Sequence, residues 1–277
     1  MISFAVYNVK GGVGKTTTSV NLSYLAGQDR FNTLLWDLDP QAAATYYFSN
    51  DSLSAAPNTF SNTHRRQYPE GPLSWILPTS HSGVHLLPNL SHDPTAPSRE
   101  IFSNQDSKSI KRWLKYLKPQ YDYVFLDCPS FLQPGVSKIF TGVDYILVPL
   151  TPNPFSLQNF QQIWNFFEIQ GHDTRKLLPF FTKVESNNER HQRLLKQFRQ
   201  KWSKYLSIQI PYSATIDQMV DWQAPLPTFA PWQHQAVQAY RNFWQNLKMF
   251  KKLTNRRYLE SGLRHWQQRS PGRMGDQ

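Results

Sequence analysis

Three glycines and two lysines lie close together near the start of the sequence, in the segment Lys10-Gly11-Gly12-Val13-Gly14-Lys15-Thr16-Thr17. Backbone N–H groups can approach a phosphate only where no Cβ intrudes, and glycines permit that approach. Lys15 is placed to contact β- and γ-phosphate oxygens, and the Thr16 hydroxyl to take a coordination position on Mg²⁺. We therefore expect residues 11–17 to bind a nucleoside triphosphate with Mg²⁺.

The loop departs from the common phosphate-loop pattern at its start. That pattern opens with a glycine five residues before the glycine of the Gly-Lys pair, whereas Val9 stands there and Lys10 follows it. Lys10 adds a second cation to the loop.

Acidic residues end two further apolar runs. Asp37 and Asp39 lie in the segment Asp37-Leu38-Asp39-Pro40-Gln41, and Asp127 ends the run that begins at Tyr121. An acid at the end of a strand can hold a metal-bound water near the γ-phosphate. From the residues alone, Asp37 and Asp39 could equally be solvated turn residues.

The elements around these residues alternate between strand and helix. Ile2–Asn8 and Thr33–Leu38 have the pattern of buried strands, and Thr16–Gly27 between them has apolar residues at helical spacing. Further strands are predicted at 84–87, 123–126, 145–148 and 177–181, and helices at 109–117, 156–169 and 189–205. This alternation predicts an α/β fold, a mostly parallel twisted sheet with helices on both faces.

The motifs together resemble the ParA/MinD family of ATPases, whose phosphate loop deviates from the common form by an additional lysine. The resemblance rests on the segments Lys10–Thr17, Asp37–Gln41 and Tyr121–Pro129, and it covers about residues 1–48 and 108–247. It implies a P-loop NTPase fold, ATP and Mg²⁺ as cofactors, and weak intrinsic ATP hydrolysis. The family usually has a second proline after the position of Pro129, where this chain has Ser130.

The resemblance also implies roles for single residues. Lys15 and Lys10 would contact phosphates, Lys10 across the interface of a homodimer formed with ATP. Asp39 would position the attacking water, and Asp37 and Asp127 would support the Mg²⁺ bound by Thr16. The resemblance further implies a ParB-like or cargo adaptor protein that stimulates hydrolysis; the cargo, whether plasmid, chromosome or protein body, stays open.

The chain is expected to form one ATPase domain, residues 1–246, followed by a basic tail, residues 247–277. The tail is predicted to be helical to about residue 268. Residues 49–98 interrupt the alternation of strands and helices and are rich in Ser, Asn, Pro and Thr. We expect them to form an irregular insertion that contains one strand.

The charge of the chain favours a polyanionic partner. The formal net charge is +11 and the pI is near 9.7. The tail holds eight basic residues against two acidic ones, and six more basic residues recur at spacings that suit one helix face between residues 190 and 204. No base-reading motif is present, so we expect sequence-independent contact with DNA phosphates through Lys251, Lys252, Arg256 and Arg257.

An anionic membrane surface is the alternative partner. Partial apolar stripes accompany the lysines of the tail and resemble an interfacial helix; they consist of Phe243, Leu247, Phe250, Leu259, Leu263 and Trp266. The composition favours DNA over membrane. The expected function is therefore that of a ParA-type positioning or segregation ATPase, and the alternative is a MinD-like peripheral membrane ATPase that acts as a spatial regulator.

The single cysteine, Cys128, limits the remaining alternatives. It excludes a disulfide framework or a cysteine-based metal site within one chain, and it argues against an iron–sulfur reductase that needs two cysteines from each subunit. An ATP-dependent small-molecule ligase stays open, because the sequence does not show a substrate pocket. No signal-peptide pattern and no apolar run of ~20 residues is present, so a cytoplasmic, nucleoid-associated protein is expected.

Overall fold

The computed structural model describes residues 1–48, 72–89, 101, 109–131, 134–202 and 206–254. The strands are β1 (Ile2–Val6), β2 (Thr33–Asp37), β3 (Leu77–Pro78), β4 (Val84–Leu87), β5 (Tyr123–Asp127), β6 (Tyr145–Leu150), β7 (Leu177–Val184) and β8 (Gln209–Pro211). The helices are α1 (Lys15–Gln28), α2 (Ala43–Phe48), α3 (Ser109–Leu117), α4 (Pro134–Gly142), α5 (Pro154–Ile169), α6 (Glu189–Lys201), α7 (Ala214–Asp217), α8 (Met219–Trp222) and α9 (Gln235–Thr254). Short 3-10 turns occupy Pro72–Trp75, Thr174–Lys176 and Leu226–Thr228.

The described strands form one sheet in the order β3-β4-β2-β5-β1-β6-β7-β8. Every pairing is parallel except that of β3 with β4. Strand β5 lies between β1 and β2, and its register places Asp127 opposite Val6 on one side and Asp37 on the other. The acidic ends of β2 and β5 therefore meet at the same edge of the sheet as the loop that follows β1. The predicted α/β fold with a mostly parallel sheet is confirmed.

Alternate residues of each central strand enter two separate hydrophobic cores. In β1, Ala5 belongs to the core under α3, α4, α5 and α6, whereas Phe4 and Val6 belong to the core under α1, α2 and α9. Burial on both faces explains why the strand segments are nearly continuous apolar runs. It also fixes the register, because a slip of one residue would exchange the two sets of side chains.

Helix α9 packs against α1, the helix that follows the phosphate loop. The Tyr240 hydroxyl lies 3.5 Å from Thr18 Oγ1. At the other end of α1, Asp29 accepts hydrogen bonds from Trp244 Nε1 at 2.7 Å and from Lys248 Nζ at 2.6 Å. These contacts attach the last described helix to the helix that begins the candidate site.

Three predictions from the sequence need correction or completion. The described part of the insertion, residues 72–89, contains two strands rather than one. The additional strand, Leu77–Pro78, was not predicted because it is too short to produce a pattern in the sequence. Helix α6 ends at Lys201, not near residue 205, because Trp202 has extended backbone angles. Helix α9 continues across the predicted boundary at 246/247 and buries Leu247 in the core; the predicted helix beyond Thr254 lies outside the described residues.

Candidate nucleotide site

The glycine-rich loop between β1 and α1 adopts backbone angles that require glycine. Gly12 and Gly14 have φ angles of 70° and 87°, in the left-handed region. Gly14 is the residue before the first turn of α1, which begins at Lys15. The N-terminal N–H groups of α1 therefore point into the loop, the arrangement in which helices bind phosphate.

Polar side chains from distant strands hold the loop in place. Asn8 Nδ2 donates to the Pro149 carbonyl at 2.7 Å, and Asn8 Oδ1 accepts from the Lys10 N–H at 2.9 Å. On the other side, Thr182 Oγ1 of β7 donates to the Val13 carbonyl at 2.8 Å. The loop is thus fixed at both halves before any ligand binds. Thr182 could not be predicted from the sequence, because it is 169 positions from its partner.

Asp127 accepts two hydroxyl hydrogen bonds from α1. Thr16 Oγ1 donates to Asp127 Oδ2 at 2.7 Å and Ser19 Oγ donates to Asp127 Oδ1 at 3.0 Å. Burial raises the pKa of the Asp127 carboxyl above its ordinary range, although these two hydrogen bonds and the charge of Lys15 oppose the shift. A buried carboxylate beside a threonine hydroxyl is a hard oxygen site that suits Mg²⁺.

Asp37 is held beside Asp127 and is also fully buried. Its carboxylate accepts hydrogen bonds from the Thr45 N–H at 2.7 Å, the Thr45 hydroxyl at 2.8 Å and the Asp39 N–H at 3.0 Å. Burial and the charge of Asp127 raise the pKa of Asp37. Two adjacent buried carboxyls attract a cation, because a cation would offset the cost of burying their charge.

Within the described ranges, no three His, Cys, Asp or Glu side chains converge to hold a metal ion by themselves. This donor set fits Mg²⁺ rather than a metal held by a full protein cage, because Mg²⁺ commonly keeps waters and substrate phosphates as ligands. Thr16 and Asp127 could hold it, directly or through water, because their side-chain oxygens lie 2.7 Å apart. The role of Asp37 as a support of the metal shell stays a prediction.

Lys15 is buried at the base of the loop. Its Nζ donates to Ser130 Oγ and lies 3.4 Å from the Lys10 carbonyl oxygen. Burial lowers the pKa of Lys15, while the charges of Asp127 and Asp39 oppose that shift. A bound phosphate would replace Ser130 as the partner of this ammonium group and compensate its burial.

Lys10 and Asp39 lie further out than Lys15. Lys10 is exposed and lines a cavity of about 330 Å³ on the outer side of the loop. Asp39 is half-buried, and its Oδ1 accepts from the Gln41 N–H at 3.0 Å. Its carboxylate is near enough to Lys15 to affect the pKa of that lysine.

Comparison with known proteins agrees with this geometry. A family model described as an AAA domain (AAA_31) matches residues 1–179. The chromosome partitioning protein ParA of Myxococcus xanthus is 29% identical over 59% of this chain, and the alignment spans 57% of that protein. The chain belongs to the ParA/MinD family of P-loop ATPases. The chain spans about three fifths of the length of the first curated relatives that it matches.

Solved structures of ParA/MinD ATPases share the fold. A protein assigned to plasmid partition in Borrelia burgdorferi B31, bound to AMPPNP, matches with a TM-score of 0.71 and 19% identity, covering 91% of this chain and 98% of that one. The septum site-determining protein MinD of Pyrococcus horikoshii, complexed with Mg-ADP, matches with a TM-score of 0.67 and 19% identity, covering 89% and 95%. At such identity the likeness establishes the fold alone.

The structure of this ParA/MinD ATPase brings most of the predicted site residues together. Residues 11–17, Asp37, Asp39 and Asp127 all lie around the loop, with Lys10 at its outer side. Sequence reasoning missed Ser19 and Thr45, which hold the two buried carboxylates. Both are ordinary helix residues in the sequence, and only the sheet order reveals their partners.

The predicted basic surface is described in part. In helix α6, five basic side chains are exposed: Arg190, Arg193, Lys196, Arg199 and Lys201. Lys251 and Lys252 lie in the last turn of α9, whereas Arg256 and Arg257 lie outside the described residues. No helix in the described part of the chain is long and apolar enough to span a bilayer.

Proposed function

We propose that this ATPase binds ATP with Mg²⁺, closes into a homodimer around the nucleotide, binds DNA without sequence preference, and positions or segregates a cargo with a partner protein that stimulates hydrolysis. The observation that carries the proposal is the loop itself. Lys15 is buried inside it beside Thr16 and Asp127, whereas Lys10 stands exposed on its outer side. This difference supports the proposal that Lys15 contacts the chain's own nucleotide and that Lys10 contacts a nucleotide approaching from outside.

Nucleotide binding is supported by the preformed loop and by the buried cation–carboxylate arrangement beneath it. The ligands of the structural neighbours, AMPPNP and Mg-ADP, are of the same class. When bound, Mg²⁺ supplies charge neutralisation at the phosphates. The residues of this chain would orient the nucleotide through loop N–H groups, neutralise it through Lys15, and hold the attacking water through Asp39.

Dimerisation is supported by the exposure of Lys10, which a single chain leaves facing solvent. We expect Lys10→Ala to bind a nucleotide as a monomer with wild-type affinity and to lose the dimer formed with AMPPNP and Mg²⁺. Light scattering of both proteins with AMPPNP and with ADP measures this. A Lys10→Ala dimer as stable as that of wild type would show that Lys10 is an ordinary loop lysine.

DNA binding is supported by the basic face of α6 and the basic composition of the chain after Leu247. One chain offers few phosphate contacts, and a dimer doubles them, so affinity is expected to rise with AMPPNP. Each contact releases a counterion, so log affinity should fall linearly with log salt, by about 0.9 per phosphate neutralised. Fluorescence anisotropy of a random duplex at several salt concentrations, with AMPPNP and with ADP, tests both statements.

Two sets of variants distinguish a specific DNA-binding surface from a general effect of the protein's positive charge. Changing Lys251, Lys252, Arg256 and Arg257 to Ala should weaken DNA binding and flatten the salt dependence while the dimer stays intact. Changing Lys111, Lys115 and Lys118, exposed in or just after α3 on another part of the fold, should have little effect. Equal DNA affinity with AMPPNP and with ADP would contradict the proposed dependence of DNA binding on the nucleotide.

The MinD-like alternative has less support in the structure than in the sequence. Phe243 and Leu247 are buried in the core, and Phe250 packs edge-on against Tyr145 with ring centroids 4.7 Å apart. This half of the apolar stripe stabilises the fold and is not available to a membrane. Binding to anionic liposomes with AMPPNP, in place of DNA binding, would favour the membrane function.

A further inference from the structure

A second lysine accompanies Lys10 on the outer side of the phosphate loop. The cavity of about 330 Å³ is lined by Lys10, Gly12 and Val13 of the loop and, from other elements, by Asn153, Lys183 and His191. Its volume is in the range of small-molecule sites. Of the described residues that line it, none is acidic. Glu185 lies nearby, but it accepts from Asn188 Nδ2 at 2.8 Å and lies 3.9 Å from His191.

The backbone at Lys183 is unusual and is held by the loop. Lys183 has a φ of 55°, in the left-handed region that few residues other than glycine adopt. It lies where the pairing of β7 with β8 shifts register, and such irregularities redirect side chains. Its neighbour Thr182 is bonded to the Val13 carbonyl. The same strand end therefore fixes the loop and presents an exposed lysine to the cavity beside it.

We propose that this cavity is an anion site that binds the phosphates of a nucleotide held by a second copy of the chain, with Lys183 as its second cation beside Lys10. The proposal rests on the ATP-dependent dimer proposed above and adds a residue to it. The chain's own nucleotide has its cation, Lys15, on the buried side of the loop. Lys10 and Lys183 are both exposed and line the same cavity, so a ligand that approaches from outside the chain can reach them.

The chemistry of the cavity favours phosphate over other anions. Two ammonium groups are compact point charges that suit a densely charged group. Gly12 leaves the loop backbone accessible, since a Cβ built there would meet nothing within 4 Å. The amide of Asn153, which donates to Thr151 Oγ1 at 2.7 Å, forms a fixed polar wall.

The test compares variants of Lys183 in the full chain. Lys183→Asn removes the charge while keeping a residue that tolerates left-handed backbone, and Lys183→Arg keeps the charge. Lys115→Asn, a change of an exposed lysine of α3 that does not line the cavity, is the control. Sedimentation with AMPPNP and Mg²⁺ measures the dimer, and titration with a fluorescent ADP measures nucleotide binding to the monomer.

We expect Lys183→Asn to raise the dimer dissociation constant about tenfold or more, because a charge-assisted contact with phosphate is lost. ADP affinity should stay within about twofold, and Lys183→Arg and Lys115→Asn should dimerise like wild type. The difference between Lys183→Asn and wild type should shrink as salt increases.

Two results overturn the inference while leaving the dimer in place. A Lys183→Asn dimer as stable as wild type shows that Lys183 contacts no phosphate. An equal loss of ADP affinity in the monomer shows that Lys183 serves the chain's own nucleotide. If wild type itself does not dimerise with AMPPNP, the proposed function and this inference both fail.

Discussion

Ser130→Ala is expected to tighten nucleotide binding. The Lys15 ammonium donates to the Ser130 hydroxyl, and we expect a bound phosphate to replace this hydroxyl as the partner of Lys15. A hydrogen bond to a charged group contributes ~1.5–3 kcal/mol when fully buried. Ser130 is only half-buried, so a net value of about 1 kcal/mol is reasonable, which corresponds to roughly fivefold in affinity.

The hydrogen bond between Lys15 and Ser130 also predicts that Ser130→Ala changes the stability of the protein. Removing the hydroxyl destabilises the ligand-free state but not the bound state, so the free energy of unfolding without nucleotide should fall by about 1 kcal/mol. Titration with a fluorescent ADP and urea unfolding measure the two quantities. Ser137→Ala, which removes a hydroxyl bonded to His172 and not to Lys15, should change the affinity little. Unchanged or weaker ADP binding in Ser130→Ala would refute the reasoning and indicate that the hydroxyl contacts the nucleotide.

Three further predictions follow from other contacts. Asp39→Ala should bind ATP but hydrolyse it slowly, so that the dimer persists; hydrolysis at the wild-type rate in a phosphate-release assay would contradict the role of Asp39. Gly142→Ala should destabilise the protein by about 1–2 kcal/mol, because its Cβ would lie 2.5 Å from Ile110 Cγ2, and Ile110→Ala in the same chain should make the loss less than additive in urea unfolding. Burial opposes ionisation of Asp29, yet hydrogen bonds from Lys248 and Trp244 lower its pKa overall. The ionised Asp29 therefore stabilises the folded protein at pH values above its ordinary pKa of 3.8. This stabilisation is lost as the pH falls through the lower pKa of the folded state. Asp29→Asn should therefore cost at most about 1 kcal/mol at pH 7, since the pair is partly exposed, and a difference from wild type that persists in strong acid would contradict this.

The sequence alone was enough to predict those parts of the site whose residues are close together in the chain. The loop at residues 10–17 follows a strand and precedes a helix, and this order together with its glycines predicts its place in the fold. Asp37 and Asp127 were recognisable because each ends an apolar run. The family resemblance then supplied separate roles for them.

Contacts between distant segments were not predictable in the same way. Thr182 and Lys183 approach the loop only because β7 lies two strands from β1 in the sheet, and strand order is not encoded in the local pattern. The left-handed backbone of Lys183 has no signal in the sequence, since that conformation usually indicates glycine or asparagine. Strand β3 was missed for a different reason, because two residues are too few to show a period.

The position of β1 in the middle of the sheet bears on how the protein is synthesised. Its two neighbours, β5 and β6, begin at residues 123 and 145, and the threonine that fixes the loop is residue 182. A nascent chain therefore carries β1 with both edges unpaired until residue 127 has left the ribosome, and with one edge unpaired until residue 150 has left it. Pairings of such sequence separation form slowly. A nucleotide is not expected to assist these early steps, because the loop has not yet gained its hydrogen bond from Thr182, and a chaperone that shields β1 during translation is expected to raise the yield of folded protein.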